Sequence, residues 1–172
     1  LKLAEETPLS GLRLAELCQE AGLPAGVFNV LTGFGETCGA PLAAHPLVDK
    51  VAFTGSTEVG KQLMRKAASN LTRLSLELGG HAPFVVFDDA DVDAAVAGAV
   101  AAKFRNMGQT CLAPNRFLIQ SGIYDTFVRK LQAAVEDLKV GSGEEAGVAI
   151  APLIDDAAVH RAEVHPHRRH LG

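Results

Sequence analysis

Neither sign of charge dominates this chain. Its 16 Lys and Arg meet 20 Asp and Glu for a net charge of -4, and the two signs interleave along most of the length. The electrostatic footprint that nucleic acid or an anionic membrane needs is therefore missing, and a small molecule is the expected partner. Long hydrophobic runs are missing too. No apolar stretch approaches the roughly 20 residues that span a bilayer, and the first residues carry no charged-then-apolar export signal. The expectation is a soluble, unexported protein with no membrane and no nucleic-acid partner, cytoplasmic or, in a eukaryote, in the mitochondrial matrix. Cysteine is scarce and scattered. Cys18, Cys38 and Cys111 share no short spacing, which argues against a zinc site, a redox pair or a disulfide framework and fits a reducing compartment. There is no internal repeat.

What is present suits one ordinary globular domain: 172 residues, 48% of them hydrophobic, in alternating patterns. The chain opens "LKLAEETP", without an initiator Met or a capped first element, so the expectation is a piece of something longer. Residues 9 to 21 place Leu9, Leu12, Leu17 and Ala21 at near-helical spacing, and "GLP" stops the run. "VFNVL" (27 to 31) reads as a strand leading into a glycine-bearing turn and helix-compatible residues. The succession recurs at "KVAFT" (50 to 54), "GSTEVG" and "KQLMRKAASN", and "RLSLEL" (73 to 78) follows as another strand. "FVVFD" (84 to 88) precedes a helix that Asp89 or Asp91 caps, and "RFLIQ" (116 to 120) precedes the helical "YDTFVRKLQAAVEDL" (124 to 138). Strands alternating with helices imply an α/β fold of parallel β-α-β units, with ligand turns at the carboxyl ends of the strands.

Several residues carry chemistry. The turn around Gly33 and Gly35 has the spacing G-x-G-x-x-x-G, which suits a phosphate-binding loop or a plain strand-to-helix turn. In "FTGSTEVG", Gly55 permits a sharp turn, while Ser56 and Thr57 offer helix caps and hydroxyl donors to a pyrophosphate. Two such turns after successive strands favour a nucleotide ligand. Glu77, before a double glycine, reads either as a carboxylate projecting into a cleft or as an exposed strand-end residue. Cys111 follows the polar, flexible Asn106, Gly108, Gln109 and Thr110, and on residues alone it stands open between a reactive thiol and an ordinary loop thiol. Arg105 either complements a helix dipole or holds a substrate carboxylate. Four of the six histidines, His160, His165, His167 and His170, crowd the last residues around Pro166; without fixed metal-ligand spacing, a solvated tail is the better reading and no metal is expected.

"FTGSTEVG", "LELGG" and "GQTC", in this order and at these separations, resemble the NAD(P)-dependent aldehyde dehydrogenase superfamily, and the likeness runs from about Lys2 to Val159. "KFRN" before the cysteine is most similar to its succinate-semialdehyde branch. The resemblance implies an aldehyde dehydrogenase-like fold truncated at both ends. Residues 1–78 would be the C-terminal part of the NAD-binding domain, 79–159 the start of the catalytic domain and 160–172 a divergent His-rich tail. It makes Cys111 the nucleophile and Glu77 the general base. Gly33, Gly35, Gly55, Ser56, Thr57, Glu58, Val59, Gly60 and Leu78 would line the cofactor, while Lys2 and Glu5 would meet its adenosine ribose. A carboxylate at Glu5 repels a 2′-phosphate, which favours NAD over NADP. Arg105 would pair with the far carboxylate of succinate semialdehyde, the aldehyde substrate. The parent enzyme would be a homo-oligomer.

Family members are about three times as long, and the asparagine that helps to hold their oxyanion matches no position here, so the isolated chain is expected to turn over little. Ala113 stands where some of the branch carry a second cysteine, which excludes a disulfide switch there. The rival reading is a non-catalytic nucleotide-binding or interaction protein.

Overall fold

Among the described residues, two pairs of parallel strands carry the architecture, and each pair obliges the chain to cross from the end of one strand back to the start of the next. The computed structural model describes residues 1–164 and divides into two compact units, Leu1–Leu78 and Gly79–Gly172. Each unit contains one β-α-β crossover, so the α/β reading holds. The expected tail histidines His165, His167 and His170 lie outside the described residues.

The first unit opens with α1 (Leu9–Glu20), which starts behind Pro8. Just past its C-cap the chain turns at Gly22, whose φ of 82° only glycine adopts cheaply, with the Leu23 N–H donating to the Cys18 carbonyl at 3.0 Å. A wide π-helical turn, Gly35–Gly39, runs into the short α2 (Ala40–Ala44). Strand β1 (Lys50–Gly55) pairs in register with β2 (Arg73–Leu78), from Lys50 opposite Arg73 to Gly55 opposite Leu78. The crossover helix α3 (Thr57–Ala67) is capped by Ser56, whose Oγ accepts from the Val59 N–H at 3.2 Å, and it buries Gly60, Leu63 and Ala67. Alternation along β2 turns Leu74, Leu76 and Leu78 to the more covered face and leaves Arg73, Ser75 and Glu77 exposed on the other.

One expected strand is not formed. In residues 27 to 31 only Leu31 pairs, as an isolated bridge to Lys2, with Leu31 N–H to the Leu1 carbonyl at 2.8 Å and Leu3 N–H to the Leu31 carbonyl at 3.1 Å. Upstream, the Asn29 side chain donates to the Gly26 carbonyl at 2.8 Å, a turn bond that competes with a ladder. β-rich composition produces a strand only where a partner backbone faces it.

In the second unit, β3 (Ala82–Val86) pairs with β4 (Pro114–Ile119). Between them runs α4 (Val92–Phe104), and α5 (Tyr124–Glu136) follows β4. Of the two candidate caps, Asp91 is the one used: its Oδ1 accepts from the N–H groups of Asp93 and Ala94 at 2.9 and 3.1 Å. Val86, Val96, Ala99 and Phe127 form the buried cluster, and the Phe84 and Phe117 rings meet beside it at 5.5 Å between centroids. Lys130 on α5 pairs with Asp93 on α4. The loop that contains residues 140 to 147 closes with a Val140–Ile150 bridge, and α6 (Asp156–Val164) starts behind Asp155, whose Oδ1 accepts from the Ala158 N–H at 2.6 Å. No described helix is long and apolar enough to cross a membrane.

Phe127 is fully enclosed while Val85, on the other face of β3, is 50% exposed. Phe127→Ala is expected to destabilise the second unit by about 3–5 kcal/mol, and Val85→Ala by no more than about 1 kcal/mol. Urea unfolding followed by a probe in that unit measures the difference.

Candidate active site

The residues singled out in the sequence fall into two groups, one in each unit. In the first unit the chain start and the glycine turn come together. The Lys2 Nζ donates to the Glu5 Oε1 at 2.6 Å, and Lys2 bridges to Leu31, two residues before Gly33. Gly33 has φ 141°, and a Cβ there would lie 3.3 Å from the Cys38 Cβ, so backbone conformation and crowding both call for glycine. The Glu5 carboxyl is held below the usual glutamate range, chiefly by the Lys2 hydrogen bond and then by its own backbone N–H, against an opposing desolvation, with the Gly35 N–H a smaller contribution in the same downward direction. Thus Lys2, Glu5, Gly33 and Gly35 form one polar corner.

The second turn follows β1. Gly55 closes the strand, Ser56 caps α3, and Thr57, Glu58, Val59 and Gly60 form its first turn, so the positive end of the helix dipole opens behind the strand. A Cβ on Gly60 would come within 2.7 Å of the Leu78 Cδ2, so glycine is what lets α3 settle against the end of β2. Glu77 is opposite Thr54 in the register, which brings its exposed carboxylate to the same carboxyl edge as the Gly55–Ser56 turn. These placements fit a dinucleotide: a pinched glycine backbone, a helix N-terminus for phosphate and a paired carboxylate for ribose hydroxyls.

In the second unit α4 stops at Arg105, whose extended ψ of 128° breaks the helix. Asn106, Met107 and Gly108 then take positive φ of 50°, 55° and 75° in succession. For the two non-glycine residues this left-handed path costs energy and persists only where the surroundings enforce it. Asn106 and Gln109 clamp the turn: the Gln109 N–H and Nε2 donate to the Asn106 carbonyl at 3.0 and 3.5 Å, and the Asn106 Nδ2 donates to the Gln109 carbonyl at 3.3 Å. Cys111 follows, exposed, and Ala113 behind it is buried. Cys18 and Cys38 are each half-buried. Arg105 is exposed at the start of the turn.

Ligand turns were expected at the carboxyl ends of strands, and the Gly55–Ser56 turn lies at such an end. Cys111 does not. It lies three residues before Pro114, at the amino end of β4, where a helix returns to the sheet. Two further features were not read in advance. Lys103 Nζ donates to the Asn115 Oδ1 at 2.9 Å and Asn115 Nδ2 to the Gly80 carbonyl at 3.5 Å, linking α4, β4 and the double glycine. The Gln109 Oε1 accepts from the Ile154 N–H at 3.0 Å. None of these three bonds has a local sequence signal, since the partners of each lie at least 12 positions apart in the chain.

The aldehyde dehydrogenase family model matches residues 1–167. The chain belongs to the aldehyde dehydrogenase family. A succinate-semialdehyde dehydrogenase [NADP(+)] of Escherichia coli is 57% identical over 165 residues, covering 96% of this chain and 34% of the relative. A glutarate-semialdehyde dehydrogenase of Pseudomonas aeruginosa is 56% identical over the same span, again 96% and 34%. Among solved structures, an NADP-dependent enzyme of Escherichia coli superposes with a TM-score of 0.94 at 56% identity, over 96% of this chain and 34% of that one. The chain therefore spans about a third of the length of the relatives it matches. The family match runs to residue 167, and α6 extends through Val164.

The Lys2–Glu5 pair generates a pH prediction. Because the folded-state carboxyl is depressed, the pair stabilises the first unit above the ordinary glutamate range and that contribution is lost as pH falls through the depressed value. Solvent reaches both side chains, so the effect on global stability is small. Lys2→Met is expected to return the Glu5 carboxyl toward its ordinary value, measured as an upward shift in its carboxyl-carbon NMR titration.

Proposed function

We propose that this chain carries the nucleophile, the general base and much of the dinucleotide cradle of an aldehyde dehydrogenase. The observation that carries the reading is Cys111: the one exposed thiol of the three, at the end of a strained turn held by its own side chains, in a family whose motif it matches. Residues 1–78 are assigned to the end of the cofactor-binding domain and 79–159 to the start of the catalytic domain.

The chemistry follows from these groups. The Cys111 thiolate adds to the aldehyde carbonyl, forming a C–S bond and leaving charge on oxygen, which the Cys111 backbone N–H is suited to receive. When bound, the nicotinamide supplies the acceptor for the hydride that leaves the same carbon, and a thioester on Cys111 remains. Glu77 takes a proton from water as the water oxygen attacks the thioester, and the C–S bond breaks to release carboxylic acid and thiolate. Lys2 and Glu5 would hold the adenosine ribose, while Gly33, Gly35 and the Gly55–Gly60 turn would hold the pyrophosphate.

The preference for NAD drawn from Glu5 alone is relaxed by its pairing. Lys2 offsets the negative charge that would repel a 2′-phosphate, and the Escherichia coli relative is named for NADP(+), so both dinucleotides fall within the proposal. Both semialdehydes named in the relatives end in a carboxylate, and Arg105, six positions before Cys111, is the residue proposed to pair with it. The substrate class is an aldehyde with an anionic far end, succinate semialdehyde first.

Competitive labelling tests this. Iodoacetamide is expected to modify Cys111 ahead of Cys18 and Cys38, and succinate semialdehyde to protect Cys111 alone, with Arg105→Ala weakening that protection more than it weakens protection by an uncharged aldehyde. Equal labelling of the three thiols, or no protection by any aldehyde, would sink the proposal. Where the thioester forms, Glu77→Gln is expected to slow its hydrolysis about a hundredfold or more while leaving Cys111 labelling intact.

A further inference from the structure

The turn before Cys111 is clamped internally by Asn106 and Gln109, but that clamp would leave the whole turn free to swing on the end of α4. A second bond prevents this. The side-chain Oε1 of Gln109 accepts from the backbone N–H of Ile154 at 3.0 Å, across 45 positions of sequence. The far end of this bond is itself held: Ile150 bridges to Val140, and Asp155 caps the first turn of α6 through the Ala158 N–H. On the near side, the Ala113 N–H donates to the Thr110 carbonyl at 3.2 Å, and buried Ala113 and Pro114 lead straight into β4. Cys111 therefore stands on a segment fixed at three places: α4 behind it, β4 ahead of it and the 150–155 segment beside it.

We infer that Gln109 is a positioning residue, whose single amide group both closes the left-handed turn and latches it to Ile154, so that the Cys111 thiol keeps one place. Its role as a positioning residue for catalysis rests on Cys111 being the nucleophile proposed above. The geometry suits the amide and no shorter side chain. One end of it, Nε2, donates to the Asn106 carbonyl while the other, Oε1, accepts from Ile154, so both halves of the side chain are used at once. Asn106 and Met107 supply the reason a latch is needed. Each sits in a left-handed conformation that an unrestrained chain would leave for the right-handed or extended regions, carrying Cys111 with it. An ordinary thiol in a loop needs no such restraint, whereas a nucleophile loses rate when misplaced by as little as an ångström.

The test reads single amides by hydrogen exchange in the 172-residue chain. Gln109→Ala removes both contacts and is expected to speed exchange at Ile154 by about tenfold, the factor that corresponds to one ordinary hydrogen bond, with faster exchange at Ala113 as well. Gln109→Glu keeps an acceptor oxygen in place and is expected to restore protection at Ile154. Amides in β1 and β2, which belong to the other unit, serve as the control and should not change. Unchanged exchange at Ile154 in Gln109→Ala, no restoration by Gln109→Glu, or a uniform loosening that reaches β1 and β2 would overturn the latch. A failure of the nucleophile reading shows differently: wild-type Cys111 then labels no faster than Cys18 and Cys38, whatever the amides do.

Discussion

Parallel pairing is the constraint on which the rest depends. Two parallel strands cannot be joined by a tight hairpin, so the chain must leave one end of the pair and return to the other, and a helix is the economical way back. In the first unit that return is α3, and in the second it is α4. Every crossover has two loops, one leaving a strand and one re-entering it. The Gly55–Ser56 turn is a leaving loop, at the carboxyl edge beside Glu77. The Cys111 turn is a re-entering loop, at the amino end of β4.

The two loops use different physics, as the roles proposed for them require. A loop that receives phosphate needs backbone N–H groups and little side-chain bulk, which glycine and a serine cap provide with the helix dipole behind them. A loop that presents a thiol needs a fixed position more than a field. The left-handed run from Asn106 to Gly108 turns the chain sharply out of α4, and the Asn106–Gln109 clamp absorbs its strain. Ala113, almost wholly buried, then anchors the return to the sheet.

Much of this was legible beforehand. The strands β1, β2, β3 and β4 and the helices α1, α3, α4 and α5 follow the alternation and caps visible in the sequence, because those signals are local. The run from 27 to 31 misled, since strand formation depends on a facing backbone that composition does not reveal. The choice of Asp91 over Asp89 as cap was open for a similar reason: both have the right chemistry, and only the start of the helix decides between them.

The sequence alone determined the chemical types and their order: two glycine turns, a carboxylate before a double glycine, and a cysteine in a polar loop, which sufficed for the family. Tertiary structure decided what those residues face. It paired Lys2 with Glu5 and so weakened the case for one dinucleotide over the other, and it put Glu77 on the polar face of β2 rather than among its leucines. It also joined Gln109 to Ile154 and Lys103 to Asn115 and Gly80. The division has a physical cause. Caps, turns and periodicity are set by neighbours a few residues apart, whereas a hydrogen bond between distant segments exists only after the strands and helices that carry them have packed.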